Sequence, residues 1–208
     1  MGVLIQNGTL VTSIDKTVGD ILCRNGKIVA IGKDLDAAAD DHVIDASGQL
    51  VIPGGIDPHV HMELPFMGTV SADDFETGTA AGVAGGTTSI IDFVIPGRND
   101  SYPDTLKWWY EKAEKSVADY AFHQAITWWG DDTAAFMKRC VEEEGMPSFK
   151  TFMAYRGAIG IDDIEMINAM NTARSLGAMI TVHAEHGDMV VELQNGFVPA
   201  CTIPCMDV

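Results

Sequence analysis

From residue 51 onward the chain alternates between short apolar runs rich in β-branched residues and longer helical patterns. Strand and helix follow one another about five times, in units of roughly 30 residues, a rhythm that demands a parallel sheet with crossover helices. The strands read as "QLVIPGGID", "TTSIIDFVIP", "ADYAFHQAIT", "SFKTFMAY" and "AMITVHAE". The first is expected to be buried. The helices between them carry their own punctuation. "SADDFETGTAAGVAGG" offers Ser71 as N-cap, Asp74 as its box partner and Gly85-Gly86 as the stop. "YPDTLKWWYEKAEKSV" has Pro103 near its start. "DDTAAFMKRCVEEEG" and "DDIEMINAMNTARSLG" close on Gly145 and Gly177, and "GDMVVELQNG" starts another helix. Two architectures fit this rhythm: a doubly wound open sheet, or part of a (β/α)8 barrel. No GxGxxG or P-loop follows a strand, so nucleotide binding has no support.

Residues 1–50 follow a different pattern. "VLIQNGTLVT" and "DILCRNGKIVAIG" each place an Asn-Gly between apolar runs, the signature of a two-residue hairpin. This segment reads as a small, incomplete β-sandwich module, with the α/β unit spanning residues 51–208. The net charge is −17, which opposes binding to nucleic acid. No apolar run is long enough to cross a membrane, and the N-terminus shows no basic region or cleavage pattern. The expected setting is cytoplasmic. The four cysteines, Cys23, Cys140, Cys201 and Cys205, form no CxxC pair and argue against a disulfide framework. "CTIPC" near the end is a weak metal signal on its own.

Chemistry concentrates at the ends of strands. His59 and His61 are two apart in a strand and face the same way. They stand at the C-terminal end of the first α/β strand, where barrels build their active sites. Local packing and metal ligation both suit such a pair, since imidazole is a ligand for zinc and related ions. His183 ends the fifth strand in the same topological position. Lys150 lies in an apolar strand between Phe149 and Phe152. Burial penalises its charge. It could form a salt bridge across a barrel, a Schiff base with a carbonyl substrate, or a carbamate with carbon dioxide. Tyr155 follows that strand and could donate to a developing oxyanion. His123 and His186 read as polar neighbours, and His42 as a surface residue of the β module. The Trp108-Trp109 and Trp128-Trp129 pairs read as packing residues.

Taken together, His59-Val60-His61 after "PGGID", Lys150 in a strand and His183 after a fifth strand resemble the amidohydrolase superfamily. "GGIDPHVHMELPFMGTVSADDFETGTAAGVAGGTTSIIDFVIP" is similar to the dihydropyrimidinase and D-hydantoinase group. The resemblance runs from the N-terminal module to about residue 193. It implies a TIM-like (β/α)8 barrel and a hydrolase with two divalent metal ions, usually zinc. It also implies opening of cyclic amide rings, dihydropyrimidines or hydantoins, to N-carbamoyl amino acids. By motif position, His59 and His61 would bind one metal, a Lys150 carbamylated by carbon dioxide would bridge both, and His183 would bind the second. A metal-activated hydroxide would attack the ring carbonyl. Tyr155 would bind substrate and steady the oxyanion, and Leu64, Phe66 and Phe152 would line the pocket for the ring substituent. Dihydroorotase-like sequences carry an arginine shortly after the HxH, whereas Met62-Glu63-Leu64-Pro65-Phe66 offers no basic group. Non-catalytic relatives lose ligands that this sequence retains.

The resemblance also implies a longer chain, forming homo-oligomers, since a full barrel alone takes about 250 residues. About five βα units are expected here, a partial barrel. The family's histidine after a sixth strand and aspartate after an eighth have no counterpart in this sequence, and the tail from residue 195 departs from the family pattern. Two expectations follow. One is a metal-dependent cyclic amide hydrolase in truncated form, inactive unless a second chain supplies ligands. The alternative is a non-catalytic fragment that associates with full-length homologues through open sheet edges.

Overall fold

The protein's structure, a computed structural model, describes residues 1–66 and 68–197. It divides into two compact units at Gly54/Gly55. The first contains β1 (Gly2–Val11), β2 (Lys16–Arg24), β3 (Lys27–Gly32), β4 (His42–Asp45) and β5 (Leu50–Val51). They form one mixed sheet in the order β3-β2-β1-β4, with β5 also on β1. β2 runs antiparallel along the length of β1, so parallel β4 and β5 share its other edge end to end.

The two Asn-Gly dipeptides have different fates. Asn25-Gly26 makes the expected hairpin between β2 and β3, both residues in the left-handed region with φ 52° and 72°. Asn7-Gly8 does not turn the chain. It lies inside β1, at a register slip between Ile5 and Gly8, with Asn7 at φ 61°. The Asn7 N–H donates to the Asp20 carboxylate at 2.8 Å, which gives the bulge a partner. A residue pair suited to left-handed backbone serves a bulge as well as a turn.

The second unit opens with β6 (Gly55–Val60) and a short hairpin of β7 (Pro65–Phe66) and β8 (Thr69–Val70). There follow α1 (Phe75–Ala84), β9 (Thr87–Val94), α2 (Tyr102–Ala113), β10 (Asp119–Ala125) and α3 (Thr133–Glu142). β11 (Ser148–Phe152), α4 (Asp163–Ser175), β12 (Met179–His183) and α5 (Gly187–Phe197) complete it. The five long strands lie in sequence order, β6-β9-β10-β11-β12, and every pairing is parallel. A doubly wound sheet would reverse its order at a switch point. This sheet never does, which is the winding of a barrel wall.

Period-two alternation divides the sheet into two faces. Ile90 and Val94 of β9, Phe122 of β10 and Phe149 of β11 join the core against Leu106, Trp109, Met137 and Ala169 of the helices. Each fully buried large side chain contributes about 2 kcal/mol. Phe93, His123 and Lys150 occupy the alternate positions. β6 departs from expectation. It was expected to be buried, yet Ile56 is 67% exposed, because among the described residues β6 has β9 on one edge and no strand on the other. The cap of α1 also differs. Asp74, not Ser71, is the N-cap, in a box with Thr77. Among the described residues no helix is long and apolar enough to cross a membrane.

Candidate metal centre

A cavity of about 640 Å³ in the second unit is lined by His59, His61, Lys150 and His183. Tyr155, Leu64, Phe66 and Phe152 share its wall. The sequence had these residues scattered over 125 positions, from His59 to His183, and the ends of β6, β11 and β12 bring them together.

Phe93 is the common floor. Its buried ring lies 4.6 Å from the His59 ring, 5.0 Å from His61 and 4.8 Å from His123, centroid to centroid. The Lys150 ammonium sits 5.4 Å from the same ring and 5.4 Å from that of Phe152. The two histidine rings stand 5.4 Å apart and nearly perpendicular, at 84°. Desolvation holds His61 below the ordinary imidazole range, with the charges of His59 and Lys150 acting in the same sense. It therefore favours the neutral form that a metal ligand requires. Lys150 is 6% exposed, and burial lowers its pKa. The cross-barrel salt bridge considered from the sequence is absent among the described residues.

The opposite wall belongs to β11, β12 and the loop after β11. Tyr155 has φ 60°, a left-handed conformation unusual for a bulky side chain. Its carbonyl accepts from Ala158 and Gly160, closing a tight turn. A Cβ at Gly160 would sit 2.1 Å from the Ala154 carbonyl oxygen, so only glycine fits there. The turn places the Tyr155 ring 5.4 Å from His183 and 5.5 Å from Phe66. His183 Nε2 lies 3.3 Å from a Glu185 carboxylate oxygen without hydrogen-bond geometry, and like His61 Nδ1 it is buried with no hydrogen-bond partner among the described residues.

The remaining sequence candidates resolve one by one. His186 turns away to accept from the Met189 N–H at the start of α5, and His42 is exposed in the first unit. Trp128 packs as expected, stacked on Tyr102 at 5.0 Å. Trp108 and Trp109, read as packing residues, also line the cavity. Cys201 and Cys205 lie outside the described residues. Asp92 was missed. It is 1% exposed on β9 and accepts from the N–H groups of Met62, Phe93 and Trp109. Burial nonetheless pushes its pKa up to about 6. The signal was a lone acid in "TTSIIDFVIP", the same anomaly that marked Lys150.

The sequence profile of the amidohydrolase family matches residues 50–203. The chain belongs to this family. The dihydropyrimidinase of Dictyostelium discoideum is 47% identical over 194 residues, covering 93% of this chain and 39% of that protein. The D-hydantoinase of Geobacillus stearothermophilus is 46% identical, over 90% of this chain and 40% of that protein. The crystal structure of dihydropyrimidinase from Brevibacillus agri superposes with a TM-score of 0.92 at 42% identity, over 96% of this chain and 43% of that one. This amidohydrolase-family chain thus spans about two fifths of the length of the relatives it matches. Its second unit is a partial TIM-like barrel of five βα units, preceded in sequence by a small β module.

Among the described residues no three His, Cys, Asp or Glu side chains stand close enough together to hold a metal ion. The fourth candidate, Lys150, is a cation as encoded and joins such a set only after modification. The nitrogens of His61 and His183 that lack a partner among the described residues fit a cationic ligand.

Proposed function

We propose that the chain contributes to a metal-dependent hydrolase that opens cyclic amide rings, dihydropyrimidines or hydantoins, to N-carbamoyl amino acids. One observation carries the reading: His59, His61, Lys150 and His183 line a single cavity. The kinship with proteins named dihydropyrimidinase and D-hydantoinase supports the substrate class.

In this reading His59 and His61 would hold one divalent ion, zinc by preference, His183 would hold a second, and a carbamylated Lys150 would be a ligand to both. Such ions, when bound, supply Lewis-acid catalysis at a carbonyl. The chain's own residues do the rest. A depressed pKa leaves Lys150 a larger neutral fraction, and only the neutral amine attacks carbon dioxide. The new C–N bond gives a carbamate and releases one proton. Tyr155 lines the cavity and would donate its phenol proton to the oxyanion that forms as the ring carbonyl is attacked. Leu64, Phe66 and Phe152 present apolar surface to the ring substituent and exclude water.

Zinc uptake by the purified chain, with and without bicarbonate, tests the reading together with ring opening of dihydrouracil followed by loss of its amide absorbance. Bicarbonate-dependent zinc binding is expected to weaken roughly a hundredfold or more in Lys150→Ala, beyond the effect of removing a supporting residue. Zinc binding indifferent to both bicarbonate and Lys150 would overturn the reading.

A further inference from the structure

The His59-Val60-His61 segment has little ladder to hold it. β6 pairs with β9 as far as Asp57↔Ile90, slips, and resumes only at Val60↔Asp92. One extra residue therefore bulges around Pro58 and His59, and Pro58 has no N–H to offer. Side chains from the next two strands of the sheet, β9 and β10, take up the backbone groups at each end. Ahead of the pair, Nε2 of His123 on β10 lies 3.1 Å from the Pro58 carbonyl oxygen. Behind it, the Met62 N–H donates to Oδ2 of Asp92 on β9 at 2.7 Å.

We propose that His123 and Asp92 are positioning residues that pin the backbone on both sides of His59 and His61 and so set how the two imidazoles face a metal ion. The inference rests on the reading of those histidines as ligands.

The chemistry of His123 assigns its tautomer. A carbonyl oxygen only accepts, so Nε2 carries the proton. Nδ1 lies 2.5 Å from the Ser148 hydroxyl and accepts from it. One neutral imidazole thus joins β6, β10 and β11, and burial favours that neutral form. The ring also rests on Phe93, 4.8 Å away, the surface on which His59 and His61 rest. Asp92 works from the opposite face of the sheet. Its Oδ1 is held by Phe93 N–H and Trp109 Nε1–H, which leaves Oδ2 aimed at Met62. Both residues meet the backbone next to the ligands, and neither needs to touch the metal.

The test uses the full chain labelled with ¹⁵N-histidine, metal-free at pH 7, with ring correlations recorded for His59, His61 and His123. Zinc affinity is then measured by competition with a chelating dye. An asparagine at position 123 reaches only the place of Nδ1, whereas a glutamine amide reaches that of Nε2. His123 is expected as the Nε2–H tautomer. His123→Asn and Asp92→Asn are expected to shift the His59 and His61 ring signals and to weaken zinc about ten- to a hundredfold. His123→Gln, which keeps the donor to Pro58, should recover most of that loss. Ser148→Ala leaves the Nε2–H donor to Pro58 in place and frees Nδ1, so it should move the His123 Nδ1 signal with a smaller shift at His59. It decides the matter if the other variants unfold. An Nδ1–H tautomer, or folded variants with wild-type ring signals and zinc affinity, would overturn the proposal. A wild-type chain that takes up no zinc would defeat the metal reading, and the ring signals would still decide the positioning roles.

Discussion

β9 and β11 are separated by one strand in the same sheet, and each buries a single charge. They handle it in opposite ways. Asp92 on β9 turns toward the helix layer and accepts from three N–H groups. Lys150 on β11 lines the cavity and, among the described residues, meets the faces of two phenylalanines and no counter-charge. Burial pushes both toward neutrality, the acid upward and the amine downward. The difference is in what the fold supplies. A buried carboxylate with its donors in place is a fixture that organises the backbone around it. A buried amine with none is unfinished, stabilised only by something the sequence does not encode. That contrast, more than burial itself, separates a supporting charge from a reactive one.

The largest effect expected of this contrast is on pH dependence. In the unfolded chain Asp92 ionises near 3.8, and in the folded protein near 6. Between those values the folded state holds more protons than the unfolded one, so stability falls as pH rises. The loss is complete above the folded value and amounts to about 3 kcal/mol. Asp92→Asn does not titrate. Urea unfolding from pH 3.5 to 7 should show the stability difference between wild type and Asp92→Asn changing by about that amount, in favour of the variant as pH rises. A constant difference would mean that three donors fully offset burial, and the two strands would differ more than described. Lys150→Met comes next. It keeps the volume and removes an unpaired buried amine, so the metal-free protein should gain about 2 kcal/mol near neutral pH. The sign is set by a lowered pKa: the cost of holding the charge is present at low and neutral pH and fades as pH climbs toward the ordinary value of 10.5. A less stable Lys150→Met would show that the amine has a partner after all and would erase the contrast.

The two charges also show what a sequence makes legible. Both are lone charges in apolar strands, "SFKTFMAY" and "TTSIIDFVIP", yet only the lysine was singled out. His59, His61 and His183 share the strand-end position that a barrel uses for chemistry, so topology points at those three, and Lys150 stands out as a charge inside an apolar strand. Asp92 sits on the other face, and its partners come from the chain 30 residues earlier and 17 later. No local pattern announces such a contact. The same limit explains Ser71, which as a cap was plausible from spacing alone. Asp74 takes the cap because Ser71 is occupied elsewhere, accepting from Leu64 N–H and donating to the His61 carbonyl. The alternation of strand and helix was readable because every unit repeats it. The bulge at Asn7 and the exposure of β6 were not, since each depends on which strand lies alongside.

The smallest effect is the most discriminating, because it makes Asp92 slightly more like Lys150. Trp109 Nε1–H is the longest of the three donors at 3.3 Å, so its loss should cost near the lower end for a bond to a charged group, about 1.5 kcal/mol. Trp109→Phe also shrinks a side chain that is 1% exposed, and that packing loss must be separated from the hydrogen bond. A double-mutant cycle with Asp92→Asn does so, since the packing cost appears in both backgrounds while the charge-assisted bond appears in one. Trp108→Phe is the control, a residue 45% exposed that makes no hydrogen bond to Asp92. With one donor fewer, the carboxyl pKa should rise further, and the pH window of falling stability should extend above 6. A coupling near zero with an unmoved window would mean that the backbone donors Met62 and Phe93 alone hold the acid, which narrows the contrast between β9 and β11 to the two amides that flank the candidate site.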